Sequence, residues 1–340
     1  MRCTSASSLA KTDARRLPFP RSLGMLAIAL GLMLLTSPGA YSLAAPPFFS
    51  KLQERLVADG LEAQFVQTLY DSPLVKLEPE ILAANLKRSE AVLNYEQFLT
   101  STAVSRAGRY LEQHRPALEE AQRRHGVPSG VIVAILMVET SLGEQTGRFP
   151  TLNVLSTMAV ADDPQVRTLV LESLSAEDRK QQTDQVVSER LERRVARGYQ
   201  ELKAFIEYAR RNQADPLAVR GSSEGAIGIS QFLPSNIGRY GKDGDGDGTV
   251  DLFKHEDAIA SVASFLDMHQ WRQAHGTKEK KRVLLHYNRS KYYVDTVYAL
   301  AKRLKDHAVA ENGSQQQCGA EAASPAQAES LSAIPPSPRH

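Results

Sequence analysis

The chain has 340 residues, 42% of them apolar, with 41 basic and 39 acidic side chains and a formal charge of +2. That balance excludes strong electrostatic steering by the whole molecule, and there is no basic run to suggest nucleic-acid binding. The two cysteines, Cys3 and Cys318, lie near the ends and leave the centre without a disulfide.

The N-terminal stretch places Arg15, Arg16 and Arg21 before an apolar run over 23–35, followed by small residues up to Ala44 and Ala45. This order predicts a signal peptide over 1–45, with export to the periplasm and cleavage after Ala44 or Ala45. A retained anchor is the alternative, but the apolar run falls short of the roughly 20 residues a spanning helix needs. Apolar residues then recur at helical spacing over 48–70, 95–125, 189–212, 257–271 and 292–307, which predicts a mainly helical domain over 46–308. Residues 161–188 are polar, contain Asp162-Asp163-Pro164, and read as an exposed insertion. Residues 309–340, rich in Ser, Gln, Ala and Pro, read as a disordered tail.

Within the domain, residues 131–138 are all apolar and end directly at Glu139. By length the run fits a buried strand or a buried helix; Pro128 before it and Gly143 after it favour the helix. A carboxyl at the end of such a segment loses hydration, which raises its pKa and suits it to act as a general acid. The alternative is a glutamate at a helix end that simply faces solvent. Residues 221–235 break the helical pattern with Gly221, Gly225 and Gly228, and read as a small glycine-rich hairpin region. Asp243, Asp245, Asp247 and Thr249 then occupy positions 1, 3, 5 and 7 of an EF-hand-like loop, with Gly248 at position 6. Position 12 is Lys254, where an ordinary loop has a bidentate glutamate. The acidic spacing predicts structural Ca²⁺, against a plain acidic turn or a weak monovalent-ion site.

Three motifs in order, Glu139-Thr-Ser-Leu-Gly, Gly221-Ser-x-x-Gly-Ala-x-Gly-x-x-Gln231-Phe-x-Pro-Ser and Tyr287-Asn-Arg-Ser-x-Tyr-Tyr293, resemble the membrane-bound lytic transglycosylase B family. The resemblance covers roughly 48–304 and implies an α+β lysozyme-like fold that is mainly α. It implies cleavage of peptidoglycan glycan strands between N-acetylmuramic acid and N-acetylglucosamine, giving a 1,6-anhydro-muramoyl product. It also implies that Glu139 is the sole acid and base. Ser222 and Gln231 would line one side of the cleft, and Tyr287, Asn288 and Tyr293 the other. Arg193 and Arg194 would meet peptide-stem carboxylates, and Asp257 would close the calcium loop from position 15.

The chain departs from the resembled pattern in the insertion over 161–188 and in the 15 residues that separate Trp271 from Tyr287. Both bear on the rim of the cleft. Two rival readings follow from the same residues: a goose-type-lysozyme-like hydrolase, and a peptidoglycan-binding protein without turnover. A second carboxylate is the usual requirement of a hydrolase, and Glu224 is the nearest candidate. The histidines are scattered and form no His-Glu-x-x-His, so zinc hydrolysis has no support.

Overall fold

Apolar periodicity turns into helix through most of the chain. The structure, a computed structural model, describes residues 47–87, 94–181 and 184–322. The expected signal peptide over 1–45 and residues 323–340 lie outside the described residues. Among the described residues, no helix is long and apolar enough to cross a membrane.

The stretch over 48–70 forms two helices, α1 (Ser50–Ala58) and α2 (Ala63–Tyr70), because Gly60 takes φ +98° between them. After α3 (Pro79–Lys87), the stretch over 95–125 divides into a 3-10 turn (Tyr95–Leu99), α4 (Ser101–Gln113) and α5 (Arg115–His125). Thr100 caps α4 by accepting the Ala103 N–H at 3.2 Å. Gly126, at φ +66°, ends α5 after three basic residues in its last turn, which suit the negative end of the helix.

The apolar run is a helix: α6 (Ser129–Thr140) buries every residue from Val131 to Met137. A helix apolar on all sides belongs at the centre of a fold. It packs against α4, α5, α12 (His255–Met268) and α14 (Lys291–Ala322).

A two-stranded antiparallel sheet follows, in which β1 (Phe149–Pro150) pairs with β2 (Arg220–Gly221) and Phe149 stands opposite Gly221. Bridges from Gly221 to Ile227 and from Ile227 to Phe232 fold the glycine-rich segment into the expected small hairpin region. Between the two strands run α7 (Thr151–Ala159), α8 (Pro164–Glu172), α9 (Ala176–Gln181) and the long α10 (Asp184–Arg211). Helices α7 and α10 approach closely at Gly198, where a Cβ would stand 2.6 Å from that of Met158. Downstream, α11 (Pro234–Tyr240), α12, α13 (Gly276–Tyr287) and α14 complete the domain.

Two expectations need correction. The segment over 161–188 is largely exposed, as expected, but where it is described it is mostly helical and buries a stripe of Val166, Val170, Leu174 and Val187. Asp163 accepts the N–H groups of Gln165 and Val166, and Pro164 follows it, so the apparent loop signal is the start of a helix. The disordered tail expected from 309 is helical as far as Ala322, because α14 continues through it. Once a packed helix is nucleated, each added residue costs little, and this stretch contains Ala, Glu and Gln, which favour helix.

Candidate active site

Glu139 is the last residue but one of α6, and the chain turns sharply after it. Ser141 (φ +53°), Leu142 (φ +66°) and Gly143 (φ +97°) lie consecutively in the left-handed region. Two of them are not glycine, so the turn is held by contacts outside it. The buried Thr140 hydroxyl donates to the Ile229 carbonyl at 2.8 Å and accepts the Gly143 N–H at 3.0 Å. Arg106 of α4 donates to the Ser141 carbonyl at 3.0 Å and pairs with Glu144 at 2.9 Å. Gly143 itself packs beside His255, whose Nδ1 stands 2.9 Å from the Tyr110 hydroxyl. None of these supporting residues was singled out in the sequence. Only Thr140 carried a signal, as part of the motif around Glu139.

The Glu139 side chain is half-buried, and protein crowds it enough that desolvation raises its pKa to about 7. The Tyr293 hydroxyl opposes that shift. Tyr293 is 2% exposed, and its hydroxyl completes no hydrogen bond of ordinary geometry, yet it lies near enough to favour the ionised carboxylate. Burial, with the charge of Glu139 second, pushes the pKa of Tyr293 itself well above the ordinary phenol value. Among the described residues no second carboxylate acts on Glu139.

The aromatic side is built from the end of α13 and the start of α14. Tyr287 and Tyr293 stack with centroids 6.4 Å apart and planes 8° from parallel. Tyr287 donates to the Ser230 carbonyl at 2.6 Å, which ties this side to the glycine-rich segment. Half-buried Asn288 ends α13, and its Oδ1 accepts the Ser290 N–H at 3.0 Å. Tyr95, which no motif indicated, stacks on the exposed ring of Tyr292 at 6.5 Å and adds to the upward shift of Tyr293.

In the glycine-rich segment, Gln231 adopts φ +50° and its amide nitrogen donates to the carbonyls of Thr146 (3.0 Å) and Gly228 (2.9 Å). Half of this amide therefore holds the segment together. The Ser222 oxygen accepts the N–H groups of Glu224 (3.3 Å) and Ala226 (3.0 Å), so it shapes the turn while keeping its own proton to donate. Glu224, the nearest candidate for a second carboxylate, is bound by Arg194 at 2.9 Å and ties the turn to α10. Arg193 beside it is exposed.

In the acidic loop, oxygens of Asp243, Asp245 and Asp247 lie within 4.8 Å of one another. Thr249 donates both its N–H and its hydroxyl to Asp247. The hydrogen bond from Lys254, with Thr249 second, holds the Asp247 pKa down at about 2. Asp257, expected to close the loop, is held by its main chain. It is fully buried and accepts the N–H groups of Gly244 (2.7 Å) and Asp251 (2.6 Å), one on each oxygen. A carboxylate so buried needs hydrogen-bond donors, and the main chain of the loop supplies them.

Fold and site together define a class: a mainly helical, lysozyme-like protein built around one desolvated glutamic acid at the end of its central helix. The model of the family described as Transglycosylase SLT domain matches residues 44–281, and the chain belongs to that family. It is 32% identical over 176 residues to the membrane-bound lytic murein transglycosylase B of Escherichia coli K12, a match covering 52% of this chain and 41% of that relative. The chain thus spans less than half the length of the curated relative it matches.

Solved structures share the fold. Soluble lytic transglycosylase SltB1 from Pseudomonas aeruginosa aligns with a TM-score of 0.62 at 24% identity, over 77% of this chain and 99% of its own. The Escherichia coli lytic transglycosylase Slt35, solved in complex with calcium, gives 0.59 at 23% identity over 77% and 94%. SltB3 from Pseudomonas aeruginosa, in complex with NAG-NAM-pentapeptide, gives 0.57 at 19% identity over 76% and 79%.

Proposed function

We propose that this chain is a peptidoglycan lytic transglycosylase that cleaves the β-1,4 bond between N-acetylmuramic acid and N-acetylglucosamine. The observation that carries the proposal is Glu139 itself: a carboxyl with its pKa raised to about 7 and, among the described residues, no second carboxylate acting on it. Hydrolysing glycosidases ordinarily use two carboxyl groups, one of them to activate water or attack the sugar. One carboxyl is enough when the nucleophile is part of the substrate. Protonated Glu139 donates to the glycosidic oxygen as its bond to C1 breaks. The resulting carboxylate takes the proton of the C6 hydroxyl on the same muramic acid, and O6 bonds to C1. Glu139 ends the cycle protonated, the product is a 1,6-anhydro sugar, and no water is consumed.

The other site residues would act on the sugar chain. Ser222 would orient the N-acetyl group, which assists at C1. Tyr287 and Tyr293 would offer an aromatic face and a hydroxyl to a pyranose ring, while Asn288 and the Gln231 amide would bind its polar edges. Arg193, and Arg194 once released from Glu224, would meet stem carboxylates. The basic-apolar-small order of residues 1–45 supports export to the periplasm, where this substrate lies. Asp243, Asp245 and Asp247 offer hard oxygen donors of the right charge for Ca²⁺, which would hold the loop between α11 and α12.

Glu139→Gln tests the assignment. The amide neither donates nor accepts the required proton, so release of muropeptides from purified sacculi should fall by at least about 10²-fold while the fold is retained. A folded variant that keeps more than roughly a tenth of the activity contradicts the role given to Glu139.

A further inference from the structure

Position 12 of the acidic loop is where an ordinary calcium loop supplies its bidentate carboxylate, and here it is Lys254. The lysine is turned into the loop. Its Nζ donates to Oδ2 of Asp245 at 2.7 Å and also to Oδ2 of Asp247. Its role in opening α12 belongs to the main chain: the Lys254 N–H donates to the Asp251 carbonyl, and its own carbonyl accepts the Ala258 N–H. The remaining loop carboxylates already have main-chain partners. Asp243 accepts from Gly246 and Gly248, and Asp257 from Gly244 and Asp251.

We propose that Lys254 is the resident cation of this loop, so that its ammonium group balances Asp245 and Asp247 without a metal and must swing away before a divalent ion can bind. This rests on the calcium reading of the loop given above. Converging carboxylates repel unless a cation lies among them. A cation tethered by the chain is always present at high local concentration, so it competes with any ion arriving from solution. Lysine is a flexible point charge and supplies no fixed coordination geometry, so a divalent ion at sufficient concentration displaces it. The loop joins the segment carrying Gln231 to α12. Its closure would then depend little on the ion content of the medium.

Calcium titration by calorimetry, with thermal melting of the full chain in chelator and in calcium, tests this on Lys254→Gln and Lys254→Arg beside the unaltered protein. Lys254→Gln should bind calcium at least about tenfold more tightly, because the tethered competitor is gone. It should melt below the unaltered protein in chelator and recover on adding calcium. Lys254→Arg keeps a tethered cation, so it should melt in chelator as the unaltered protein does and bind calcium no more tightly. If Lys254→Gln unfolds in chelator, its affinity is measured from the calcium-loaded form by chelator competition. Binding to Lys254→Gln that is absent, or no tighter than to the unaltered chain, overturns the proposal. So does a loss of stability in chelator as large for the unaltered protein as for Lys254→Gln. None of these readouts uses wall cleavage, so failure of the transglycosylase reading would be seen separately.

Discussion

At the scale of single residues, Glu139 is governed by two opposing influences, burial raising its pKa and the Tyr293 hydroxyl lowering it. The first step needs the protonated acid, so kcat/KM on soluble glycan strands should fall as pH rises through about 7. Tyr293→Phe removes the lowering influence, so the falling limb should move to higher pH; an unchanged limb would contradict the contact. Stability carries the same signature. Glu139 ordinarily titrates near 4.5, and its folded pKa of about 7 lies above that, so the folded state holds more protons between these values. Stability therefore declines as pH rises through that window and levels off above it. Glu139→Gln never ionises and should be the more stable protein above pH 7, by on the order of 3 kcal/mol at most. Denaturant melts across pH should show that gap closing near pH 4.5. Thr140→Val keeps the shape but leaves the Ile229 carbonyl without its donor and the Gly143 N–H with only the Thr140 carbonyl, and should destabilise by about 1–3 kcal/mol.

At the scale of elements, the central helix was legible because Pro128 and Gly143 flank the eight apolar residues and favour a helix over the buried strand that length alone allows. The breaks at Gly60 and His114 were not, since apolar spacing continues across both and only the backbone changes direction. Helix α8 was hidden for the opposite reason. Asp162-Asp163-Pro164 looks like a loop, whereas Asp163 is a cap and Pro164 a first-turn residue, with Val166, Val170 and Leu174 forming one buried stripe behind them. The packing of α10 on α7 gives a direct test. Gly198→Ala gains up to about 1 kcal/mol in helix propensity. Its new Cβ would stand 2.6 Å from Met158 Cβ and 2.9 Å from the Ala159 nitrogen, in part a clash with main chain that cannot easily yield. Overpacking of that kind costs about 1–3 kcal/mol, so the clash should win and the midpoint of chemical unfolding should fall. A rise in that midpoint would mean that the two helices are not in close contact there.

At the scale of the whole molecule, the fold brings three sequence-distant segments together around the end of one helix. Tyr287 reaches the Ser230 carbonyl, Thr140 reaches Ile229, and Tyr293 stands by Glu139. The motifs named Glu139, Tyr287 and Tyr293, which the fold brings near one another, because aromatics and a carboxylate after an apolar run are conspicuous in a sequence. The supports stayed invisible: Arg106, Tyr95 and the pairing of Arg194 with Glu224 depend on helices that meet only in the fold. The transglycosylase proposal has the substrate supply its own nucleophile. Digestion of purified sacculi in ¹⁸O-water, followed by mass spectrometry of the muropeptides, measures this directly. The predicted products end in 1,6-anhydro-N-acetylmuramic acid, carry no label at the new terminus, and weigh one water less than the corresponding lysozyme products. Reducing ends labelled with ¹⁸O as the main product would make water the nucleophile and contradict the account.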